Sequence, residues 1–152
     1  MTIKYQQEFL STVVEDIKPL LKEHWEEIAL NKEKIKLNPD WDTYEELEHQ
    51  GRLKVFTARQ DGSLVGYFVV IVSHHIHYKD HLFASNDIIY LSPKHRKGFT
   101  GIKLIKFAEK HLKKDGVSVM VINSKDHKPF HSLMEFLKFK PVERLYSKYI
   151  GD

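Results

Sequence analysis

The sequence predicts a mixed α/β fold, an α+β arrangement in which a mainly antiparallel sheet is flanked by helices in the order β-α-α-β-β-β-α-β-α-β. Three observations carry this expectation. Apolar residues recur at helical spacing from Val13 to Ala29; two β-rich runs meet at Asp61-Gly62; and beyond Leu91 helices and strands alternate, which requires a parallel pairing in the sheet. A chain of 152 residues suits one domain spanning 1–152, and no internal repeat, low-complexity tract or linker interrupts it.

Tyr5 to Leu10 offers a first strand. Ser11 or Thr12 can then cap a helix through Val13, Val14, Ile17, Leu20, Leu21, Trp25, Ile28 and Ala29, with Pro19 expected to kink or divide it because proline removes a backbone donor. Asn38-Pro39-Asp40 reads as a turn, and Asp42 or Thr43 can cap a second helix, Tyr44 to His49, ended by Gly51. Leu53 to Arg59 and Leu64 to Val72 form a hairpin, Ser73 to His81 a polar, solvated turn, and Leu82 to Leu91 a third strand of the meander, interrupted near Ser85-Asn86-Asp87. Helix Thr100 to Lys114, strand Val117 to Asn123, helix Pro129 to Leu137 and an extended run Phe139 to Ile150 complete the order.

The absence of cysteine excludes a thiol nucleophile, a covalent Cys acyl-enzyme, Cys-type zinc sites and disulfides. No apolar run approaches the roughly 18 residues of a membrane span, and Met1 to Tyr5 lacks the basic and apolar regions of a secretory signal, so a soluble, cytoplasmic protein is expected. The net charge is only +3, which disfavours a nucleic-acid partner; the basic side chains gather between Lys94 and Lys114, whereas carboxylates crowd Asp40 to Glu48. Ser92 to Gly101 is therefore a basic, glycine-containing turn between a strand and a helix, a place where free backbone N–H groups and a helix dipole suit a phosphate. An ordinary strand-to-helix turn is the alternative.

Those residues resemble the GNAT superfamily of acyl-CoA-dependent N-acyltransferases. Ala58 to Tyr67 is similar to the family's central hairpin with its Gly-aromatic pair, Leu91 to Leu104 to its acyl-CoA pyrophosphate loop, and Phe136 to Val142 to its final helix-to-strand turn. Three positions depart from the usual pattern: Gly98 stands one place early in the loop, giving Arg-x-Gly-x-x-Gly; Lys138 replaces a glycine; and Met134 falls where many members carry a tyrosine proposed as general acid. The loop spacing is similar to that of small phage and bacterial members.

The resemblance implies acetyl-CoA as co-substrate and an amine acceptor, either a small molecule or a protein lysine or N-terminus. It places the thioester arm on Ile89, Tyr90 and Leu91, the pyrophosphate on Arg96, Lys97, Gly98, Phe99, Thr100 and Gly101, and a further coenzyme contact at Asn123. N-acylation needs an uncharged amine, so a base must remove a proton before attack. Asp87 is the first candidate, although it could simply cap a bulge with Asn86; His77, with His75 on one face, could relay a proton; Tyr146 or Tyr149 could act as acid. His74, His75, His77 and His81 are read as a solvated turn, with no metal site. Trp41 and Tyr44, beside the acidic segment, could line the acceptor site or staple their helix. The competing function is a catalytically weak protein of this fold that docks a macromolecular partner, and a homodimer is compatible with either.

Overall fold

The computed structural model of the protein describes residues 2–152 and contains one five-stranded sheet in the sequential order β1-β2-β3-β4-β5. Strands β1 (Ile3–Glu8), β2 (Leu53–Gln60), β3 (Ser63–His75) and β4 (Tyr78–Leu91) pair antiparallel; β5 (Val117–Val121) joins β4 in parallel. The parallel pairing follows from the crossover through α3 (Thr100–Lys114).

Each face of the sheet is covered. Helices α1 (Leu10–Ile28) and α2 (Trp41–His49) lie on one face, where Leu10, Val13, Ile17 and Leu21 pack with Leu53, Val55, Tyr67, Val69 and Tyr90. On the other, Leu104, Ile105, Ala108 and Leu112 of α3 meet Phe56, Ala58, Phe68, Val70 and Ala84, joined by Leu133 and Met134 of α4 (His131–Phe136). Each large apolar side chain so buried contributes roughly 1.5–3 kcal/mol.

Local details depart from the sequence reading for identifiable reasons. Neither Ser11 nor Thr12 caps α1; the helix opens at Leu10, whose N–H donates to Glu48 Oε2 of α2 at 2.8 Å, a tertiary substitute for a cap. The helix also continues through Pro19, because Val13 and Ile17 before it and Leu21 after it are buried on the same face. Asp40, not Asp42 or Thr43, caps α2, accepting from the Thr43 N–H at 3.0 Å. The segment expected as a solvated turn is mostly strand, since β3 and β4 extend to a tight reversal at Ile76-His77. Phe139 to Ile150 forms no strand: Pro141 lacks a ladder donor, charges at Glu143, Arg144 and Lys148 break the alternation, and Val142, Leu145, Tyr146 and Ile150 stand exposed.

Candidate active site

The site begins with a close approach. Gly66 of β3 faces Leu91 of β4, and a Cβ on Gly66 would lie 2.6 Å from Leu91 Cδ1 and 3.0 Å from the Tyr90 carbonyl oxygen. Glycine lets the end of β4 press against β3. Earlier in β4, three residues before Tyr90, the register shifts: Val69 faces Ile88 and Val70 faces Asn86, leaving Asp87 as the extra residue of a bulge.

That bulge coincides with the parting of β4 from β5. Their pairing ends at Ser85 opposite Val121, and the Asn123 N–H then donates to the side-chain oxygen of Asn86 at 2.7 Å, a side chain standing where a ladder partner would be. From there β4 continues to Leu91 with β3 as its neighbour, and its other edge opens on a cavity of about 1020 Å³. Asn86 to Leu91 form one wall; Asn123, Lys125 and the segment from His127 to α4 form the opposite wall; Gly98, Gly101, Ile102 and Leu104 close the base; His24, Glu27 and Ile28 form the roof.

The loop at the base bends through Gly98, whose φ of 89° strains any other L-residue. This shifted glycine is where the chain turns into α3. Gly101 lies inside the first turn of α3, with ordinary room: an added Cβ would meet Leu91 and Leu133 side chains at 3.8 Å. Arg96 is held firmly. Its Nε donates to the Leu91 carbonyl at 2.7 Å, and its two terminal nitrogens donate to Glu27 at 2.7 and 2.8 Å. This bidentate pair lowers the Glu27 carboxyl pKa and joins the roof to the loop. A second tie across the mouth runs from His127 Nε2 to the Ile28 carbonyl at 2.9 Å.

At the other end, Tyr44 of α2 donates its hydroxyl to Asp87 Oδ2 at 2.5 Å. Asp87 is accessible from the cleft, yet it sits in a concavity crowded by protein; the loss of water there raises its carboxyl pKa above the ordinary value, and the Tyr44 hydrogen bond opposes that rise. Burial also raises the Tyr44 phenol. His24, 8% exposed, lies with its ring centroid 5.2 Å from that of Tyr90. Burial lowers its pKa, with Glu27 opposing and Arg96 and Lys125 reinforcing the shift, so the ring is held neutral at pH 7. Tyr90 donates to Glu23 Oε2 at 3.0 Å, and burial together with that carboxylate pushes its phenol up to about 12.

Of the residues expected from sequence, the fold gathers Asp87, Ile89, Tyr90, Leu91, Arg96, Gly98, Gly101 and Asn123 around the cavity. Lys97 and Phe99 are exposed beside it, and Thr100 opens α3. His77 is not brought in: it occupies the tip of the β3–β4 hairpin, where its N–H donates to His75 Nδ1 at 3.0 Å, ten residues along β4 from Asp87 and so roughly 30 Å away. Tyr146 is 83% exposed and not in the lining, although its neighbour Leu145 is. Sequence reasoning missed His24; the stripe Val13, Ile17, Leu21 continues to it at a spacing of three, which was the available signal. The histidine turn holds no metal-type cluster among the described residues.

A sequence profile of the acetyltransferase (GNAT) family matches residues 14–138. The chain belongs to the GNAT acetyltransferase family. No curated protein sequence is a significant match. Among solved structures, the protein is similar to glucosamine-6-phosphate N-acetyltransferase from Arabidopsis thaliana, at 14% identity over 99% of this chain and 100% of that one, with a TM-score of 0.75. It is similar to an aminoglycoside N-acetyltransferase in complex with CoA, at 18% identity over 98% and 95% of the two chains, TM-score 0.71. Ribosomal-protein-alanine N-acetyltransferase from Brucella melitensis biovar Abortus also resembles it, at 19% identity over 99% of both chains, TM-score 0.66. At these identities the likeness is one of fold. Within this GNAT chain, Met134 packs into the α3-side core, outside the cavity lining, so that position offers the site no proton donor.

Proposed function

We propose that the protein transfers the acetyl group of acetyl-CoA to a primary amine by direct attack of the amine on the thioester. The observation that supports this most is the parting of β4 from β5 at Asn86, which leaves a strand edge facing a cavity with the bulged carboxylate at one end and the glycine loop at the other. A long, narrow ligand with an anionic end fits that geometry: the opened edge from Ile88 to Leu91 offers backbone hydrogen bonds, and Gly98 and Gly101 leave the loop's backbone accessible.

In this reading Ile89, Tyr90, Leu91 and Asn123 hold the thioester arm, and the loop from Arg96 through Lys97, Gly98, Phe99, Thr100 and Gly101 holds the pyrophosphate at the N-terminus of α3. Arg96 then exchanges Glu27 for a phosphate oxygen. Asp87 accepts a proton from the acceptor's ammonium; its raised pKa makes it a better base than an ordinary carboxylate. As the amine nitrogen bonds to the acetyl carbon the thioester C–S bond breaks, CoA leaves as its thiolate, and the proton shed by the new amide nitrogen passes to that sulfur directly or through solvent. Backbone N–H groups of the opened strand stabilise the negative charge that develops on the thioester oxygen, and most of the acceleration comes from this placement of the two reactants.

The test is isothermal titration with acetyl-CoA of the unaltered protein and Gly101→Asp. Ordinary room for a Cβ means the variant keeps its fold, while a carboxylate facing the pyrophosphate weakens affinity by about tenfold or more. Equal affinity would put the coenzyme elsewhere, and no binding by the unaltered protein would remove the acyltransferase reading altogether.

A further inference from the structure

The α1/α2 face of β4 carries a polar arc that starts at Asp87 and Tyr90 of the cleft and extends beyond it to Tyr44, Tyr67 and Glu23. Two carboxylates stand at its ends, Asp87 on the bulge and Glu23 on α1, and each is met by a phenol: Tyr44 donates to Asp87 at 2.5 Å and Tyr90 to Glu23 at 3.0 Å. Neither carboxylate forms an ion pair with a lysine or arginine among the described residues, in contrast to Glu8, Glu15, Asp16 and Glu27, which do.

Between them lies Tyr67 of β3, its ring 5.7 Å from that of Tyr90 and fully buried, with a hydroxyl that has no hydrogen-bond partner. The groups within electrostatic reach of that hydroxyl are Tyr90, Tyr44, Glu23 and Asp87, so it points into the arc. A buried hydroxyl without a partner costs about 1–3 kcal/mol. Apolar packing alone would be served by phenylalanine, as it is at Phe68 on the opposite face.

We propose that this arc is the acceptor half of the site and that it selects amines bearing a second positive charge, with one nitrogen at Asp87 and the other at Glu23. This rests on the acyltransferase reading above and adds a substrate class to it: compact diamines and polyamines, in preference to monoamines and to amines that carry a phosphate. Glu23 is the specificity-determining residue. Two carboxylates without cationic partners attract a dication more strongly than a monocation, and the Tyr67 hydroxyl gains a partner when an ammonium, or water drawn in with it, enters the arc.

The experiment compares acetyl transfer from acetyl-CoA to 1,4-diaminobutane, spermidine, n-butylamine and glucosamine 6-phosphate. The diamine and spermidine are expected to exceed butylamine in kcat/KM by about tenfold, the scale of one charge-assisted contact, and the phosphorylated amine to be the poorest. Glu23→Gln, a change at an exposed helix position, should bring the diamine-to-monoamine ratio down toward one through KM; Tyr67→Phe, which keeps the ring, should lower it less. Equal use of diamine and monoamine, a ratio unmoved by Glu23→Gln, or preference for the phosphorylated amine would overturn the proposal. Titration of 1,4-diaminobutane alone, followed by tyrosine fluorescence, separates the two readings. Diamine binding that Glu23→Gln weakens, without turnover of any amine, keeps the arc and removes the transferase. Turnover without diamine preference does the reverse.

Discussion

Gly66 to Val70 of β3 and Ile88 to Leu91 of β4 both read as nearly continuous apolar strand, yet β3 is paired on both edges there and β4 on one. In β3 every residue of the run is buried, and from Tyr67 to Val70 its side chains alternate between the two cores. In β4 a single inserted residue, Asp87, and the side chain of Asn86 change the outcome. The bulge re-aims the strand, and the amide of Asn86 takes the N–H that β5 would otherwise give to the ladder. The opening therefore comes from two polar residues at the head of the apolar run, within the Ser85-Asn86-Asp87 interruption that the sequence displays, although the interruption alone does not say that β4 parts there from β5.

The sharpest way to break that contrast is at the bulge. Asp87→Asn preserves size and can still accept from Tyr44, but it cannot take a proton. We expect kcat to fall by roughly 10²–10⁴-fold with acetyl-CoA affinity retained, measured by steady-state kinetics beside titration. In its proposed role Asp87 works as the ionised carboxylate, so activity of the unaltered protein is expected to be lost as pH falls through the Asp87 pKa; because that pKa is raised, the acid limb of kcat/KM is expected above the ordinary 3.8. An Asn variant of full activity would return Asp87 to a purely structural role at the bulge.

The closed strand can be broken from its own side. Gly66→Ala places a Cβ 2.6 Å from Leu91 Cδ1 and 3.0 Å from a backbone oxygen, so the end of β4 must move outward. A destabilisation of about 1–3 kcal/mol is expected, read as a lower midpoint in denaturant, together with weaker acetyl-CoA binding because Leu91 lines the cavity. Unchanged stability would mean that Leu91 swings aside without cost.

Most of the fold was legible because it rests on local signals: the Asp61-Gly62 hairpin, the stripe of α1, and the basic loop before α3. What the sequence could not display were meetings between residues far apart in the chain. Tyr44 reaches Asp87 across 43 positions, Arg96 reaches Glu27 across 69, and Glu48 replaces a helix cap at Leu10 across 38. Periodicity names a face but not what it faces. The site was half visible for the same reason: its backbone half is contiguous from Asn86 to Gly101, whereas its roof comes from α1 and the phenol on Asp87 from α2. His77 and Tyr146 were plausible by residue type alone, and three-dimensional placement separates them from the cavity.

The roof supplies a milder test of how open this side is. His24 is kept neutral by burial, so the folded state binds its proton less readily than the unfolded chain does. The sign follows: the His24 contribution is fully present above the ordinary value of 6.5 and is lost as pH falls from there toward the lowered folded pKa. Stability measured by denaturant between pH 7 and pH 5 should therefore decline, and His24→Gln should flatten part of that slope. An identical slope in the variant would mean that the ring is solvated through the cavity.

The smallest effect concerns the far wall, where the open side carries backbone strain. Helix α4 ends with the N–H of Lys138 on the Glu135 carbonyl at 3.0 Å and that of Phe139 on the Met134 carbonyl at 2.9 Å, the paired bonds of a left-handed helix stop. The stop requires a positive φ at Lys138, which is 64°, and a lysine side chain makes that conformation unfavourable where glycine does not. Lys138→Gly should stabilise the protein by about 1 kcal/mol, the left-handed cost removed less the extra freedom glycine gives the unfolded chain. Thermal unfolding reads this as a small rise in Tm. A lower Tm would show that the lysine side chain contributes more to the wall than its backbone strain costs, making the wall better packed than its lack of a neighbouring strand suggests.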